Sequence, residues 1–318
     1  MAGTIISASR RTDIPHYFAR WFAERRRAGF AEFRNSFGGA GRVSLRNDDV
    51  LGYLFWTRYA KPFARELEAL RGDGVAYAFQ YTITGLGGTD LEAHVPPTAT
   101  AIADFLAVRS GLTSSDCIEW RYDPIALCDT YPLRHHLETF ARIARELRGA
   151  TRVVNVSFVE PFLKSARRMA GHPSLRYRRV DPERHRATAR RYPDLPEVTD
   201  AVALRLLGEL RECARQHGIE LRVCSQPELE RAAASQCCAA ELFLAHEGDV
   251  AQSARLLRSS PSRSGCRCLK SVDIGMQDTC LGGCRYCYAV VSHETALRNR
   301  AKHDPSAAML RTGRVDQT

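Results

Sequence analysis

Apolar and polar positions along the chain switch repeatedly between a period of two and a period near 3.6. Thr4 to Ala8 is a short β-branched run, and HYFARWFAERRRAG then sets Tyr17, Phe18, Trp21 and Phe22 on one helical face. Gly29 fits a helix C-cap, with Arg25 to Arg27 in the last turn, where cations suit the helix dipole. The same exchange predicts strands at Ala31 to Arg34, Leu51 to Thr57, Val75 to Thr84, Cys117 to Tyr122, Arg152 to Val159 and Ile219 to Cys224. Helices are predicted at Pro62 to Arg71, Thr98 to Arg109, Leu133 to Leu147 and Ala201 to His217. The Cys117 strand is expected to break at Asp123-Pro124, and Thr130 to cap the next helix. Strands alternating with helices imply βαβ units and a parallel sheet. This many units predict an α/β chain folded as a TIM-type (β/α) barrel, complete or partial. Residues 1–260 would form it, and the cysteine-rich segment 261–318 would complete the same domain.

Composition narrows the class. The chain has 318 residues, 44% hydrophobic and 26% charged, which is ordinary for a soluble globular protein with a real core. No apolar run approaches the roughly 20 residues that span a bilayer, so no membrane partner is expected. The opening MAGTIISASRRT is not a signal peptide, which points to the cytoplasm. A net charge of +10 and pI near 9.2 favour an anionic partner, a nucleic acid or a phosphorylated substrate. Arginine-rich, lysine-poor usage fits a coding bias equally well. Between Arg176 and Arg191 stand seven arginines with little apolar periodicity. That run suits either a solvated insertion or a phosphate-contacting arm using Arg178, Arg179, Arg190 and Arg191.

The cysteines change the picture more. Eight of the eleven lie from Cys224 onward, and in a reducing compartment such clustering points to metal rather than disulfides. Cys117, Cys128 and Cys213 stand alone and fit small buried side chains. Cys280, Cys284 and Cys287 form C-x3-C-x2-C, three thiolates on one tight loop, which leaves one iron of a [4Fe–4S] cube without a protein ligand. Zinc sites usually pair two C-x2-C elements instead. Cys266 and Cys268, with Cys224 and either Cys237 or Cys238, supply four further thiolates. These could bind a second cluster or Zn²⁺, or be merely buried.

Polar residues collect at the predicted strand ends, where barrel enzymes carry their chemistry. Ser7, Ser9, Arg10, Arg11, Thr12 and Asp13 share one turn. Thr57, Gln80, Arg121, Asp123, Asn155, Ser157 and Glu160 follow later strands. Arg121 and Asp123 would share a strand face, as a structural ion pair or as part of a cofactor or substrate pocket.

The segments IISASRRTDIP, RVSLRNDDV, FWTRYAKPF, AFQYTITG, IEWRYDPIAL and CRC…SVDIGMQDTCLGGCRYCYA…HDP resemble the DUF1848 family through nearly the whole chain. The triplet followed by Tyr288 resembles the cluster loop of radical-SAM enzymes. The order WTR, FQYT, RYDPI, NVSF is similar to the spore photoproduct lyase branch, where that series follows the cysteine loop rather than preceding it. The resemblance implies a circularly permuted barrel, its first strand and cluster loop written last and pairing with the SASRRTDIP strand. It further implies a radical-SAM enzyme with a [4Fe–4S] cluster on Cys280, Cys284 and Cys287, S-adenosylmethionine as cofactor, and an electron donor such as ferredoxin or flavodoxin. Cofactor contacts would fall on Ser7, Ser9, Arg10, Arg11, Thr12, Asp13, Thr57, Gln80 and Tyr288, and catalytic roles on Arg121 and Asp123. Among the second thiols the resemblance prefers Cys237 to Cys238. No Gly-Gly-Glu turn follows the second strand, a departure from the radical-SAM pattern. A cluster protein without radical chemistry and a nucleic-acid-binding protein with structural metal remain open readings.

Overall fold

A computed structural model describes residues 3–34, 39–169, 172, 174–178, 185–229, 234–243, 246, 250–261 and 265–311. The strands are Thr4–Ala8 (β1), Phe30–Arg34 (β2), Ala40–Ser44 (β3), Val50–Thr57 (β4), Tyr77–Thr82 (β5), Ile118–Ile125 (β6), Val153–Phe158 (β7), Glu220–Val223 (β8) and Val272–Asp273 (β9). The helices are Ile14–Tyr17 (α1), Ala19–Ala28 (α2), Ala64–Gly72 (α3), Thr98–Ser110 (α4), Leu133–Glu146 (α5), Leu163–Met169 (α6), Arg186–Arg191 (α7), Asp200–Gln216 (α8), Val250–Arg255 (α9) and His293–Ala301 (α10).

Seven strands form one parallel sheet in the order β8-β7-β6-β5-β4-β1-β9. The winding is sequential except at one edge, where the last strand of the chain lies outside the first. Strands β8 and β9 are the edges. The expected α/β class and parallel sheet are present.

Alternate residues of each strand face opposite ways, and the two faces differ. On one, Ile6, Tyr53, Phe55, Phe79, Tyr81, Trp120, Tyr122, Val154 and Val156 join the main core. Trp21 and Phe22 of α2, Leu70 of α3, Phe105 of α4, Phe140 of α5 and Leu206 and Leu210 of α8 fill the same core. On the other, Ile5, Leu54 and Ala78 pack with Cys224, Cys237, Cys238, Cys268, Phe243 and Leu269. The cysteine-rich segment thus covers the face opposite the main helices.

Several predicted elements are corrected. The first helix is interrupted at Phe18, whose φ of −134° is not helical, giving α1 and α2. Gly29 caps α2 at φ 77°, as expected. β2 lies outside the main sheet, in an antiparallel hairpin with β3, which the polar sequence AGRVS concealed. β6 does not break at Asp123-Pro124: it continues to Ile125 through a register irregularity. Pro132, not Thr130, occupies the cap of α5. The C-terminal tail docks under α2, where Trp21 Nε1 donates to Ala307 O at 2.9 Å and Arg25 to Ser306 O at 2.6 Å. No helix among the described residues is long and apolar enough to cross a membrane.

Candidate functional site

The loop that follows β9 is built by close approaches only glycine allows. A Cβ on Gly275 would lie 1.9 Å from Ser9 Oγ, so the segment can run against the β1 turn only without a side chain there. Gly283 turns the chain at φ 65° and sits against His94, 2.6 Å from where its Cβ would be. Asp278 closes the base: its N–H donates to Ala289 O at 2.9 Å, and its Oδ1 accepts Val291 N–H at 2.6 Å. Asn299 of α10 donates to Asp278 O at 2.8 Å.

Within this loop Cys280, Cys284 and Cys287 line one cavity of about 70 Å³, with Arg168, Val290, Ser292 and His293. The Sγ atoms of Cys280 and Cys284 flank Gly282, 3.8 and 3.6 Å from where its Cβ would be. Backbone N–H groups of Asp13 and Gly282 reach the Cys280 sulfur, and Ala289 N–H donates to Cys287 Sγ at 3.3 Å. Burial, with Cys287 and Asp13 nearby, pushes the Cys280 thiol up to about 12. Burial also raises Cys284 well above the ordinary range, the adjacent Arg58 notwithstanding. As free thiols they keep their protons at neutral pH, and a bound cation would displace them. Donors aimed at sulfur and three sulfurs on one cavity suit thiolates neutralised by metal. Among the described residues no three His, Cys, Asp or Glu side chains are gathered as a site for one metal ion.

The surroundings come from the C-terminal ends of other strands. After β4, Arg58 bonds Glu92 Oε2 at 2.8 Å and Tyr286 Oη at 2.9 Å. After β5, Thr84 Oγ1 donates to Glu92 Oε1 at 2.7 Å, and Tyr286 Oη also donates there. Glu92 is fully buried. After β7, Arg168 of α6 donates to the carbonyls of Arg285 (3.0 Å), Val291 (2.7 Å), Val290 and Cys287. The turn after β1 contributes Asp13, whose carboxylate accepts Thr57 Oγ1 at 2.8 Å, Arg58 N–H at 2.8 Å and His16 N–H at 3.0 Å. Burial lifts its pKa to about 6 despite these donors.

The rest of the β1 turn is wired to β9. Asp273 accepts from Ser9 Oγ (2.7 Å), Ser7 Oγ (3.3 Å), Arg10 N–H (2.9 Å), Gly275 N–H (2.9 Å) and Arg11 Nη2 (3.2 Å). Burial would raise its carboxyl, but the guanidiniums of Arg11 and Arg10 hold it below the usual range. Thr12 Oγ1 donates to Met276 O at 2.9 Å and touches Thr279 Oγ1. Tyr288 Oη donates to Arg10 O at 3.2 Å. Ser7, Ser9, Arg10, Arg11, Thr12, Asp13, Thr57 and Tyr288 are therefore gathered beside the cysteine loop, with much of their hydrogen bonding engaged in holding it.

The other predicted residues lie on the covered face of the sheet. Arg121 pairs with Asp123, which also takes Ser157 Oγ. Arg121 Nη1 reaches Gln80 Oε1 at 3.3 Å and Cys237 Sγ at 2.9 Å. Gln80 and Asn155 both donate to Glu119 Oε2, at 2.6 and 2.7 Å. Cys237 Sγ lies 3.6 Å from Cys224 Sγ and contacts Cys268, which contacts Cys266. Of the arginine-rich run, 179–184 lie outside the described residues, so Arg179 does too. Arg178 is buried and paired with Asp200 at 2.7 Å and Glu228 at 3.2 Å, which removes it from any phosphate-contacting arm. Arg190 and Arg191 are exposed on α7.

Asp273, Glu92, Tyr286, Arg168 and Asp278 were missed as site residues. Asp273 and Tyr286 sit inside the SVDIG and CRYC motifs and were legible as polar residues amid the cysteines. Glu92 and Arg168 carry no local signal, since they meet the loop only through the fold.

No curated protein matches the chain. A solved structure, the apo form of beta-glucosidase 1317, aligns over 70% of this chain and 56% of that one, at 14% identity and a TM-score of 0.29. A likeness that low carries no weight. The family model described as a domain of unknown function, DUF1848, matches residues 5–289, where the wired β1 turn and the cysteine loop both lie, and the chain belongs to that family.

Proposed function

We propose that the chain is a radical-SAM-type iron–sulfur enzyme acting on an unidentified substrate, anionic by the measure of the chain's positive charge. Cys280, Cys284 and Cys287 would hold a [4Fe–4S] cluster, leaving one iron for S-adenosylmethionine. When bound, that cluster supplies the electron for reductive cleavage of the sulfonium. The observation that carries this reading is the cavity itself. Three sulfurs of one loop share it, and backbone N–H groups reach two of them, where connections after β1, β4, β5 and β7 converge.

The chain's own residues then have definable work. Arg168 holds the carbonyls after Cys284 and fixes the loop's exit. Arg58 sets a cation beside Cys284, balanced by buried Glu92. Ser7, Ser9, Arg10, Arg11 and Thr12 position the loop through Asp273, Met276 and Thr279. The apolar shell of Leu86, Leu91, Val159 and Met169 around Tyr286 excludes water. The edge position of β9 outside β1 supports reading the sheet as a permuted barrel, opened between β8 and β9.

The test is to purify the protein without oxygen, count iron and sulfide, reduce it, and look for 5′-deoxyadenosine from S-adenosylmethionine. Cys284→Ala should lose the visible charge-transfer absorption of the triplet's cluster. Bound iron without cleavage, with and without cell extract, would sink the enzymatic reading.

A further inference from the structure

The backbone of Arg10 docks the cysteine loop, but its side chain reaches elsewhere. Its N–H is committed to Asp273 at 2.9 Å, and its carbonyl accepts Tyr288 Oη at 3.2 Å. The guanidinium lies over the Trp56 ring, 4.8 Å from the centroid. Arg121 of β6 lies over the same ring at 5.0 Å. Trp56 of β4 pairs in register with Gln80 of β5, and Thr82 of β5 with Arg121. The three side chains therefore cross the sheet at the C-terminal ends of β1, β4 and β6. Parallel α/β sheets bind their ligands outside those ends.

The charges at this crossing do not balance. Among the described residues the Arg10 guanidinium bonds no carboxylate; it reaches Ser271 Oγ at 3.4 Å and the Cys238 sulfur. Arg121 is met by Asp123, and Arg11 by Asp273 at 3.2 Å. Three guanidiniums thus face two carboxylates. The carbons of the Arg10 and Arg121 guanidiniums are at most 9.8 Å apart, the 4.8 and 5.0 Å distances laid end to end. Like charges that close repel unless a counter-charge joins them. Trp56 adds a buried Nε1–H with no hydrogen-bond partner among the described residues. Donors are in excess, and an acceptor of one negative charge is what the group lacks. Guanidinium forks match oxyanions, and Arg10, Trp56 and Asp123 are each partly exposed, so one can reach them.

We propose that Arg10 and Arg121, stacked on Trp56, bind the anionic group of the substrate, a singly charged carboxylate or phosphodiester. That the occupant is the substrate rests on the function proposed above; the oxyanion site itself does not. Tyr288 joins the two, since it follows Cys287 directly and its hydroxyl holds the Arg10 carbonyl. An anion gripped by Arg10 is therefore held against the cysteine loop.

The test uses Trp56 as its reporter. The chain has three tryptophans, and Trp21 and Trp120 are fully buried, so a solvent-sensitive change in emission comes from Trp56. Acetate and dimethyl phosphate are each titrated into the anaerobically purified chain at constant ionic strength. At least one should give a saturable change that is absent from Trp56→Phe. Acetate alone would mark a carboxylate substrate, and dimethyl phosphate alone a phosphodiester. Arg10→Gln and Arg121→Gln should each weaken binding by about tenfold or more, the share of a charge-assisted hydrogen bond. Arg222→Gln, which removes a guanidinium near Glu119 and away from Trp56, should not. If circular dichroism shows Arg121→Gln misfolded, the partly exposed Arg10 carries the comparison. A linear, unsaturable change, or unaltered affinity in Arg10→Gln, would overturn the proposal. So would competition by S-adenosylmethionine in the chain reconstituted with ferrous iron and sulfide, because the site would then belong to the cofactor. Cys280→Ala/Cys284→Ala/Cys287→Ala should keep the titration. A chain that keeps it yet never yields 5′-deoxyadenosine would sink the enzymatic reading and not the oxyanion site.

Discussion

Strand β9 meets β1 at only two residue pairs, Ile6 with Val272 and Ser7 with Asp273. Backbone pairing that short cannot by itself hold a loop carrying three cysteines, so the Asp273 carboxylate should carry the attachment. Asp273→Asn keeps the shape but turns one oxygen into a donor. Arg10 N–H would then face a donor, and a stranded buried N–H costs about 1–3 kcal/mol. Arg11, with its side chain 9% exposed, would lose its ion partner. A fully buried broken pair costs about 3–5 kcal/mol. Here Asp273 keeps 17% exposure and Arg11 still donates to Arg34 O and Asp273 O, so roughly 1–2 kcal/mol is the fitting share. The expected total is about 2–5 kcal/mol. Urea unfolding gives the magnitude, and amide hydrogen exchange gives the location: protection should fall first at Ile274 to Cys287 and not in β5 or β6. A change under about 1 kcal/mol, or uniform loss of protection, would refute the idea that Asp273 docks the loop.

Three other outcomes follow from the same geometry. Asp13, with its folded pKa near 6 against an ordinary 3.8, favours its protonated form in the fold, so its contribution is present at low pH and lost as pH rises through about 6. The unfolding free energy of the parent relative to Asp13→Asn should therefore fall by up to about 3 kcal/mol from pH 4 to 7; a flat difference would show that the carboxyl is not held neutral. Glu92→Ala should cost about 3–5 kcal/mol by thermal or urea melting, because Arg58 is left buried without its partner, and Glu92→Gln should cost less. Gly275→Ala should cost about 1–3 kcal/mol through its collision with Ser9. Ser9→Gly in that background should return part of the loss, and strict additivity of the two would contradict the contact.

Much of this protein was written in local order. The β-branched run at Thr4, the clean strand through Gln80 and the amphipathic helix ending before Gly218 are period-two and period-3.6 patterns, and the parallel sheet follows from their alternation. The C-x3-C-x2-C spacing and the crowding of cysteines after Cys224 were equally legible, because a ligand triplet on one tight loop is a local object. What the sequence could not decide was everything that needs distant residues to meet. AGRVS becomes a strand only because Phe30–Arg34 folds back on it, and β6 runs past Asp123-Pro124 because β7 continues to pair with it. Arg178 reads as a surface cation until Asp200 and Glu228 bury it. Val272-Asp273 is too short to carry a pattern, yet the Ser7 to Thr12 turn meets the cysteine loop through it, with 260 and more residues between partners. Glu92 and Arg168 enter the site in the same way. Periodicity encodes which way a side chain faces within its own element, whereas a site made of five loop ends exists only once the sheet has set those ends side by side.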